Sequence, residues 1–86
     1  MKSNLSIVRI PITHLKIGQF AQIIQVDGYA NYVHRLREMG ICKGTEIKIF
    51  QSGNPCIVCI EGNKICIGFN NHSNILVQPY MRENLC

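Results

Sequence analysis

A chain of 86 residues that is 47% hydrophobic and 16% charged can form one globular domain with a modest core, and it is too apolar to be disordered. Its net charge of +4 comes from lysines and arginines spread along the sequence, unlike the dense basic stripe of a nucleic-acid-binding domain. No apolar run approaches the roughly 20 residues of a membrane-spanning helix, and the N-terminal residues MKSNLSIVRIP lack the apolar segment of a signal peptide. Composition therefore predicts a single domain over residues 1–86 in the cytoplasm, without membrane insertion and without a nucleic-acid partner.

The N-terminal third predicts two strands separated by a loop. Residues 1–6 are polar and are expected to fray. Residues 7–12 are rich in β-branched side chains, and Pro11 restricts this segment to a sheet edge or a strand end. Residues 13–18 favour a 3₁₀ turn or a loop closing on glycine, and residues 20–26 predict a strand that ends before an Asp-Gly pair.

The next segment has the spacing of a short amphipathic helix. Four apolar residues recur three or four positions apart and share one face: Tyr32, Val33, Leu36 and Met39. Asn31 is a suitable N-cap, and Gly40 stands where a helix C-terminus favours a left-handed residue. We therefore expect Leu36 and Met39 to be buried and Gly40 to have a positive φ.

The end of this helix predicts a Schellman motif followed by a tight turn. With Gly40 at C′, Leu36 is C3 and Ile41 is C″, the pair whose side chains make the apolar contact of this motif. The dipeptide Lys43-Gly44 suits the centre of a type II turn, because the third residue of that turn needs a positive φ. Residues 46–50 then alternate in polarity and predict a half-buried strand.

The C-terminal half predicts a hairpin. Residues 51–55 favour a loop, and residues 56–61 and 64–68 read as two strands. If Gly62-Asn63 forms a type II′ turn between them, Cys59 lies directly opposite Cys66.

A last strand is expected after a second loop. Residues 69–74 are polar and rich in asparagine, residues 75–78 predict the strand, and residues 79–86 predict an exposed tail. The folded core should therefore span about residues 7–78. Five to six short strands and one short α-helix indicate a mainly β fold, closed into a small barrel.

The run RLREMGI, from Arg35 to Ile41, followed by Lys43-Gly44-Thr45 and an alternating strand, resembles the signature of the FeoA family. Weaker matches occur at Leu15, Gly18, Ala21, Ile23, Gly28, Pro55, Ile60-Glu61-Gly62, Ile65-Cys66-Ile67 and Ile75-Leu76-Val77. FeoA proteins are small cytosolic proteins of bacterial ferrous-iron uptake, and the resemblance covers most of the chain. It implies an SH3-like barrel, the fold also of the C-terminal domains of some iron-dependent repressors. Residues 69–74 depart from the family, which usually has a short charged helical turn there.

The cysteines and histidines do not form a recognisable metal or redox motif. Cys56 and Cys59 have C-x-x-C spacing, but on a strand residues three apart point to opposite faces. An odd number of cysteines without a signal peptide favours free thiols, and the family resemblance implies a small buried side chain at Cys66, where alanine is usual. His14, His34 and His72 lie far apart in sequence and favour surface positions. We therefore expect no metal site and no cofactor.

The resemblance implies an accessory role beside FeoB, the ferrous-iron permease with a cytosolic G-protein domain. No nucleophile–base set, paired acids or phosphate loop is visible, so the chain is expected to be an interaction module and not an enzyme. It would then reach the inner face of the membrane through its partner. Self-association remains open.

Two alternatives come from other functional classes. One is a metal-sensing regulatory domain related to the SH3-like domains of iron-dependent repressors, although no DNA-binding helix-turn-helix is present. The other is a nucleic-acid-binding barrel, which the weak charge disfavours. A permease reading frame beside the gene would support the iron-uptake role over both.

The polar helix face and the turn after it are the expected partner site, formed by Arg35, Arg37, Glu38 and Lys43. Connections on a rigid scaffold often carry binding residues, and arginine is favoured at interfaces because its planar fork pairs with carboxylates. Two structural readings remain open for this face. Arg35 can fold back to anchor the helix, and Arg35 with Glu38 can form a weak intrahelical pair.

Overall fold

The computed structural model describes residues 8–68 and 74–80, and its strands form one antiparallel sheet. The strands are β1 (Ile10–Pro11), β2 (Phe20–Asp27), β3 (Glu46–Gln51), β4 (Cys56–Ile60), β5 (Asn63–Ile67) and β6 (Asn74–Tyr80). A 3₁₀ turn (Ile12–His14) follows β1, and helix α1 (Ala30–Glu38) connects β2 to β3. The mainly β prediction with one short helix is confirmed.

The strand order across the sheet is β1-β6-β2-β3-β4-β5. Pro11 lies in β1 at one edge, as predicted, because proline lacks the N–H that a central strand needs. The small β fold fits an SH3-like barrel. No ladder among the described residues joins β1 to β5, so the closure of the barrel stays a prediction. The expected frayed N-terminus, most of the asparagine-rich loop with His72, and residues 81–86 of the expected tail lie outside the described residues.

The core lies on one face of the sheet and is closed by α1 and the segments that flank β1 and α1. Its buried side chains are Ile12, Leu15, Ala21, Ile23, Leu36, Ile41, Ile47, Ile49, Cys56, Val58, Ile67, Ile75 and Val77. The alternation of β3 and β4 produces this pattern, since every second residue of these strands points inward. Among the described residues, no helix is long and apolar enough to cross a membrane.

Helix α1 ends as predicted but begins earlier. The N–H of Ile41 donates to the carbonyl of Leu36 at 2.8 Å, and the N–H of Gly40 donates to the carbonyl of Arg37 at 2.9 Å. These are the two bonds of a Schellman motif. As predicted, Gly40 has a positive φ, of +92°. The prediction that Asn31 is the N-cap is wrong: Tyr29 holds that position, and Asn31 Oδ1 accepts the N–H of Tyr32 from within the first turn.

The prediction that Met39 is buried is also wrong. Leu36 is 3% exposed, but Met39 is 39% exposed. Met39 is the C-cap, with φ −87° and ψ 1°, so its backbone is no longer helical. The three- or four-residue spacing that brings Leu36 to the core therefore does not extend to Met39. Gly44 has φ +95°, and the Thr45 N–H donates to the Cys42 carbonyl at 3.1 Å, which confirms the turn around Lys43-Gly44.

The hairpin between β4 and β5 has a different turn from the predicted one. Glu61 and Gly62 occupy its centre with φ of 50° and 86°, and two consecutive positive φ angles define a type I′ turn. The pairing therefore shifts by two residues, so that Cys59 opposes Lys64 and Cys66 opposes Ile57. The predicted Cys59–Cys66 pair is wrong, and Cys66 is exposed instead of buried.

Strand β6 is longer than predicted. Pro79 and Tyr80, assigned to the exposed tail, pair with Ala21 and Phe20 at the start of β2 and are half-buried. Because β2 begins at Phe20, its first residues supply pairing partners that extend β6 beyond Gln78.

Candidate partner-binding site

A groove of about 400 Å³ lies between β2 and the end of α1. Three exposed cations surround it: Arg9, Arg37 and Lys43. Apolar side chains that are buried or half-buried line it as well: Ile24, Val26, Val33 and Ile41. We call this site the basic groove. Gln25 and Cys42 complete its lining.

A β-bulge and a tied-down turn build one wall of the basic groove. The register of β2 against β6 shifts between Ile23 and Gln25, which leaves Ile24 as the extra residue. Gly44 N–H donates to the Ile23 carbonyl at 2.7 Å, and Ile23 N–H donates to the Thr45 carbonyl at 2.8 Å. These two bonds hold the turn that carries Lys43 against the bulged strand.

Helix α1 supplies the other wall. Val33 and Arg37 are four residues apart, so they lie on the same side of the helix, and both line the groove. The Schellman motif orients the chain that leaves the helix, and the Thr45 hydroxyl reinforces it by donating to the Gly40 carbonyl at 2.9 Å. Arg37 also lies in the last turn, where the negative end of the helix dipole favours a cation.

The charges around the groove are unbalanced. Glu38 pairs with His34 at 3.2 Å, and Asp27 accepts a hydrogen bond from Gln25 at 2.7 Å. Among residues 8–68 and 74–80, no ion pair joins Arg9, Arg37 or Lys43 to an acid. The groove therefore combines a positive rim with an apolar lining, which suits an acidic ligand that also offers an apolar side chain.

The structure brings together two of the four residues that the sequence predicted for this site. Arg37 and Lys43 both line the basic groove, whereas Arg35 and Glu38 do not. Glu38 pairs with His34 instead of Arg35. The Arg35 side chain is exposed and makes no hydrogen bond or ion pair with the described residues, so these give no support to the idea that it anchors the helix.

Sequence reasoning missed Arg9 and the bulge at Ile24. Arg9 reaches the groove because it directly precedes β1, and no local motif marks that position. A bulge inside an otherwise regular strand pattern leaves no signal in side-chain alternation unless a glycine marks it.

A larger groove of about 730 Å³ lies next to the segment that follows α1, since Gly40, Gly44 and Thr45 line it, and its charges are mixed. Phe20 and Tyr80 line it with ring centroids 6.2 Å apart, and Lys48 Nζ lies 5.4 Å from the Phe20 centroid. Glu46 and Glu61 line it as well. Because both signs of charge are present, this groove carries less information about the charge of a ligand than the basic groove does.

The described thiols and imidazoles do not converge on one site. Cys56 is buried and Cys59 is half-buried, and the alternation of β4 turns their sulfurs to opposite faces. Burial raises the pKa of the Cys56 thiol, with a smaller contribution from nearby Cys66. His14 and His34 are exposed. Within the described part of the chain, no three residues of the metal-binding types come together.

Comparison with known proteins identifies the family. The FeoA domain family model matches residues 10–79, most of the chain. A crystal structure described as iron uptake regulatory protein (FeoA), solved by sulfur SAD in a monoclinic space group, aligns with a TM-score of 0.74 and 21% identity. The alignment covers 85% of this chain and 100% of that one, and at this identity it shows a shared fold. No curated protein sequence matches significantly. The family match and the six-stranded fold together show that the chain belongs to the FeoA domain family.

Proposed function

We propose that this protein is a cytoplasmic accessory protein of ferrous-iron uptake, which works by docking on the cytosolic portion of the ferrous-iron permease FeoB. Membership in the FeoA domain family supports the role in ferrous-iron uptake. The basic groove supports the mechanism, because it combines a concave apolar lining with an excess of positive charge.

The single observation that carries this proposal is the convergence of Arg9, Arg37 and Lys43 around an apolar lining. A cationic rim attracts carboxylates, and the arginine guanidinium can bond one with two parallel N–H groups. An apolar lining gains free energy when it is covered by a partner side chain. The partner segment should therefore present at least one apolar residue between acidic residues.

The position of the charges predicts how binding depends on salt. Arg37 and Lys43 are exposed at the rim, where charges mainly steer the encounter of two proteins. Rim charges are screened over about 8 Å at physiological ionic strength, so the association rate should fall as salt is added. The apolar lining should instead govern the dissociation rate.

We also propose that the chain binds without catalysing a reaction. Cys56 is the first cysteine of the C-x-x-C segment, and burial raises the pKa of its thiol. An activated cysteine nucleophile needs the opposite shift, because the thiolate is the reactive form. This supports a structural role for Cys56.

The test is the affinity of the full chain for the purified cytosolic portion of the permease from the same organism. We expect the double variant Arg37→Glu/Lys43→Glu to bind at least about tenfold more weakly, mainly through a slower association rate. Arg35→Glu is the matched control, since it reverses the same charge on the same helix but outside the groove. Far-UV circular dichroism checks that each variant is folded.

The proposal fails if the double variant binds as tightly as the original chain at low salt. It also fails if Arg35→Glu weakens binding as much as the double variant does, because the effect would then follow net charge and not the groove.

A further inference from the structure

A strip of apolar side chains lies on the outer face of the sheet, away from the basic groove. Its members come from the loop before β2 and from three neighbouring strands: Ile17, Phe50, Ile57 and Cys66. Ile17 is 70% exposed and Phe50 is 49% exposed. Ile57 is half-buried and Cys66 is exposed. We call these four residues the apolar strip.

Ile17 is held at the tip of a well-defined turn. Gln19 N–H donates to the Lys16 carbonyl at 3.0 Å, and the Gln19 side chain accepts the Lys16 N–H at 3.0 Å. Gly18, the other central residue, has φ +88°. The exposure of Ile17 is therefore built into the fold, because hydrogen bonds and a glycine fix the turn that presents it.

This turn is bonded to β3 beside Phe50. Gly18 N–H donates to the Ile49 carbonyl at 2.7 Å, and the Ser52 hydroxyl donates to the Leu15 carbonyl at 2.8 Å. The loop thus runs along β3 from residue 49 to residue 52. Ile17 lies between these two attachment points of the loop, and Phe50 lies between the corresponding two residues, Ile49 and Ser52.

The other strip residues share the face of Phe50. Lys64 Nζ lies 3.8 Å from the centroid of the Phe50 ring, so the side chains of β5 and β3 meet on this face. Cys66 is two residues from Lys64 and points the same way, and Ile57 lies directly opposite Cys66. In β3, Phe50 is the bulged residue beside the Gln51–Ile57 pair, so the strip crosses β3, β4 and β5 with Gln51 as a polar neighbour.

Cations flank the strip. Lys16 precedes Ile17, and Lys48 and Lys64 both oppose Cys59 in the next row of the sheet. Glu46 and Glu61 lie one row further along the sheet, two residues from Lys48 and from Cys59. Lys48 and Lys64 therefore lie between the apolar strip and these acids.

We propose that the apolar strip and its three lysines dock the protein on an anionic membrane surface. The charges select the occupant: lysines attract anionic headgroups, while a second copy of this chain would bring like charges together. Isoleucine and phenylalanine at exposed sites enter the boundary between headgroups and acyl chains, which is how peripheral proteins attach without spanning the bilayer. A protein with an iron-uptake role would gain from this contact, because it would be concentrated near a membrane-embedded partner.

The contact is expected to be weak and reversible. Each lysine near an anionic surface strengthens partitioning by about fivefold, and this contribution disappears at high salt. Partial burial of an isoleucine or phenylalanine side chain adds about five- to tenfold. Three lysines with two exposed apolar side chains are thus sufficient for measurable binding at low salt.

The experiment is vesicle co-sedimentation of the reduced full chain with phosphatidylglycerol/phosphatidylcholine vesicles and with pure phosphatidylcholine vesicles. We expect binding to the anionic vesicles at low salt and little binding to the neutral ones. Ile17→Ser/Phe50→Ser should lower the partition coefficient at least tenfold, and Lys16→Glu/Lys64→Glu should abolish the preference for anionic vesicles. Met39→Ser and Arg35→Glu are the matched controls, since Met39 is an exposed apolar residue near the end of α1 and Arg35 an exposed cation on it.

Three outcomes would overturn the proposal. The first is no binding to anionic vesicles at low salt, and the second is binding that Ile17→Ser/Phe50→Ser leaves unchanged. The third is loss of affinity for a protein partner in the strip variants without any vesicle binding, which would make the strip a protein interface. The vesicles contain no permease, so these results are independent of the function proposed for the basic groove.

Discussion

Replacing Leu36 with alanine should strongly destabilise the fold. Leu36 is 3% exposed and belongs to the core, where α1 closes over the sheet. It is also the C3 residue of the Schellman motif, and both Leu36 and Ile41 of that motif are buried in the core cluster. The substitution removes apolar contacts while leaving the backbone hydrogen bond between these two residues in place.

The size of the effect follows from the buried atoms. Removing three buried carbon atoms costs about 2.4 kcal/mol at about 0.8 kcal/mol for each methylene group. The residual cavity adds to this loss, and measured Leu→Ala substitutions in cores cost about 2–5 kcal/mol. We therefore expect a loss of about 3 kcal/mol, which corresponds to a decrease in Tm of about 12–24 °C for a domain of this size. Total stability for 86 residues should be about 4–13 kcal/mol, so the loss is a large fraction of it.

Urea unfolding followed by far-UV circular dichroism measures this loss, since the chain has no tryptophan for fluorescence. Met39→Ala is the matched control: Met39 is 39% exposed and should cost less than about 1 kcal/mol. If Leu36→Ala unfolds at nearly the same urea concentration as the original chain, or if both variants lose the same stability, the assignment of Leu36 to the core is refuted.

Three further predictions concern the backbone, metal content and pH. Gly40→Ala should cost about 1–2 kcal/mol, because a residue with a Cβ is strained at the φ of +92° that Gly40 adopts. An added Cβ would meet no atom within 4 Å, so this cost is backbone strain alone. Gly68→Ala, at a position without a positive φ, should be nearly neutral, and equal unfolding midpoints for the two variants would contradict this. Elemental analysis of the purified, reduced protein should find well under one metal ion per chain, and about one tightly held zinc or iron that is lost on Cys→Ser substitution would contradict it. Because burial raises the pKa of Cys56 above its ordinary value of about 8.5, the stability that this thiol contributes is complete below that pH and decreases as pH rises through the folded-state pKa. Urea unfolding between about pH 8 and about pH 10 should show this decrease, and Cys56→Ala should flatten it; an equal slope in both proteins would refute the assignment.

The parts of the fold that were predictable from sequence are those in which a local rule allows one solution. Gly40 and Gly44 both occupy positions that need a positive φ, and a three- or four-residue repeat brings Leu36 to the core. Backbone sterics and side-chain periodicity act over a few residues, so the sequence around each position contains the information.

The errors occurred where local sequence rules allow more than one solution. Glu61-Gly62 and Gly62-Asn63 are both acceptable two-residue turns, and the structure adopts the first with Glu61 at φ 50°. The resulting shift by two residues preserves which face each side chain occupies but changes every partner, which is why Cys59 does not face Cys66. At the helix ends, the N-cap is Tyr29 and not the predicted Asn31, and Met39 is the C-cap and not a residue of the buried helix face. Sequence patterns locate helix boundaries only to within one or two residues.

The candidate site was half predictable for a related reason. Arg37 and Lys43 belong to one continuous segment, so their proximity follows from the helix, the Schellman motif and the turn. Arg9 and Ile24 join them only through the β1–β6 and β2–β6 pairings. Such long-range pairings depend on the whole sheet and are not encoded in any single stretch of sequence.

The central claim is that the basic groove docks the cytosolic portion of the permease, and a chemical-shift titration tests it most directly. The ¹⁵N-labelled protein is titrated with the unlabelled permease portion, and the amide shifts are mapped on the fold. We expect the largest changes around Arg9, Ile24, Arg37 and Lys43, while the amides of Phe20, Lys48 and Tyr80 in the larger groove change little. Changes confined to the larger groove around Phe20 and Tyr80, or no changes at saturating permease, would contradict it.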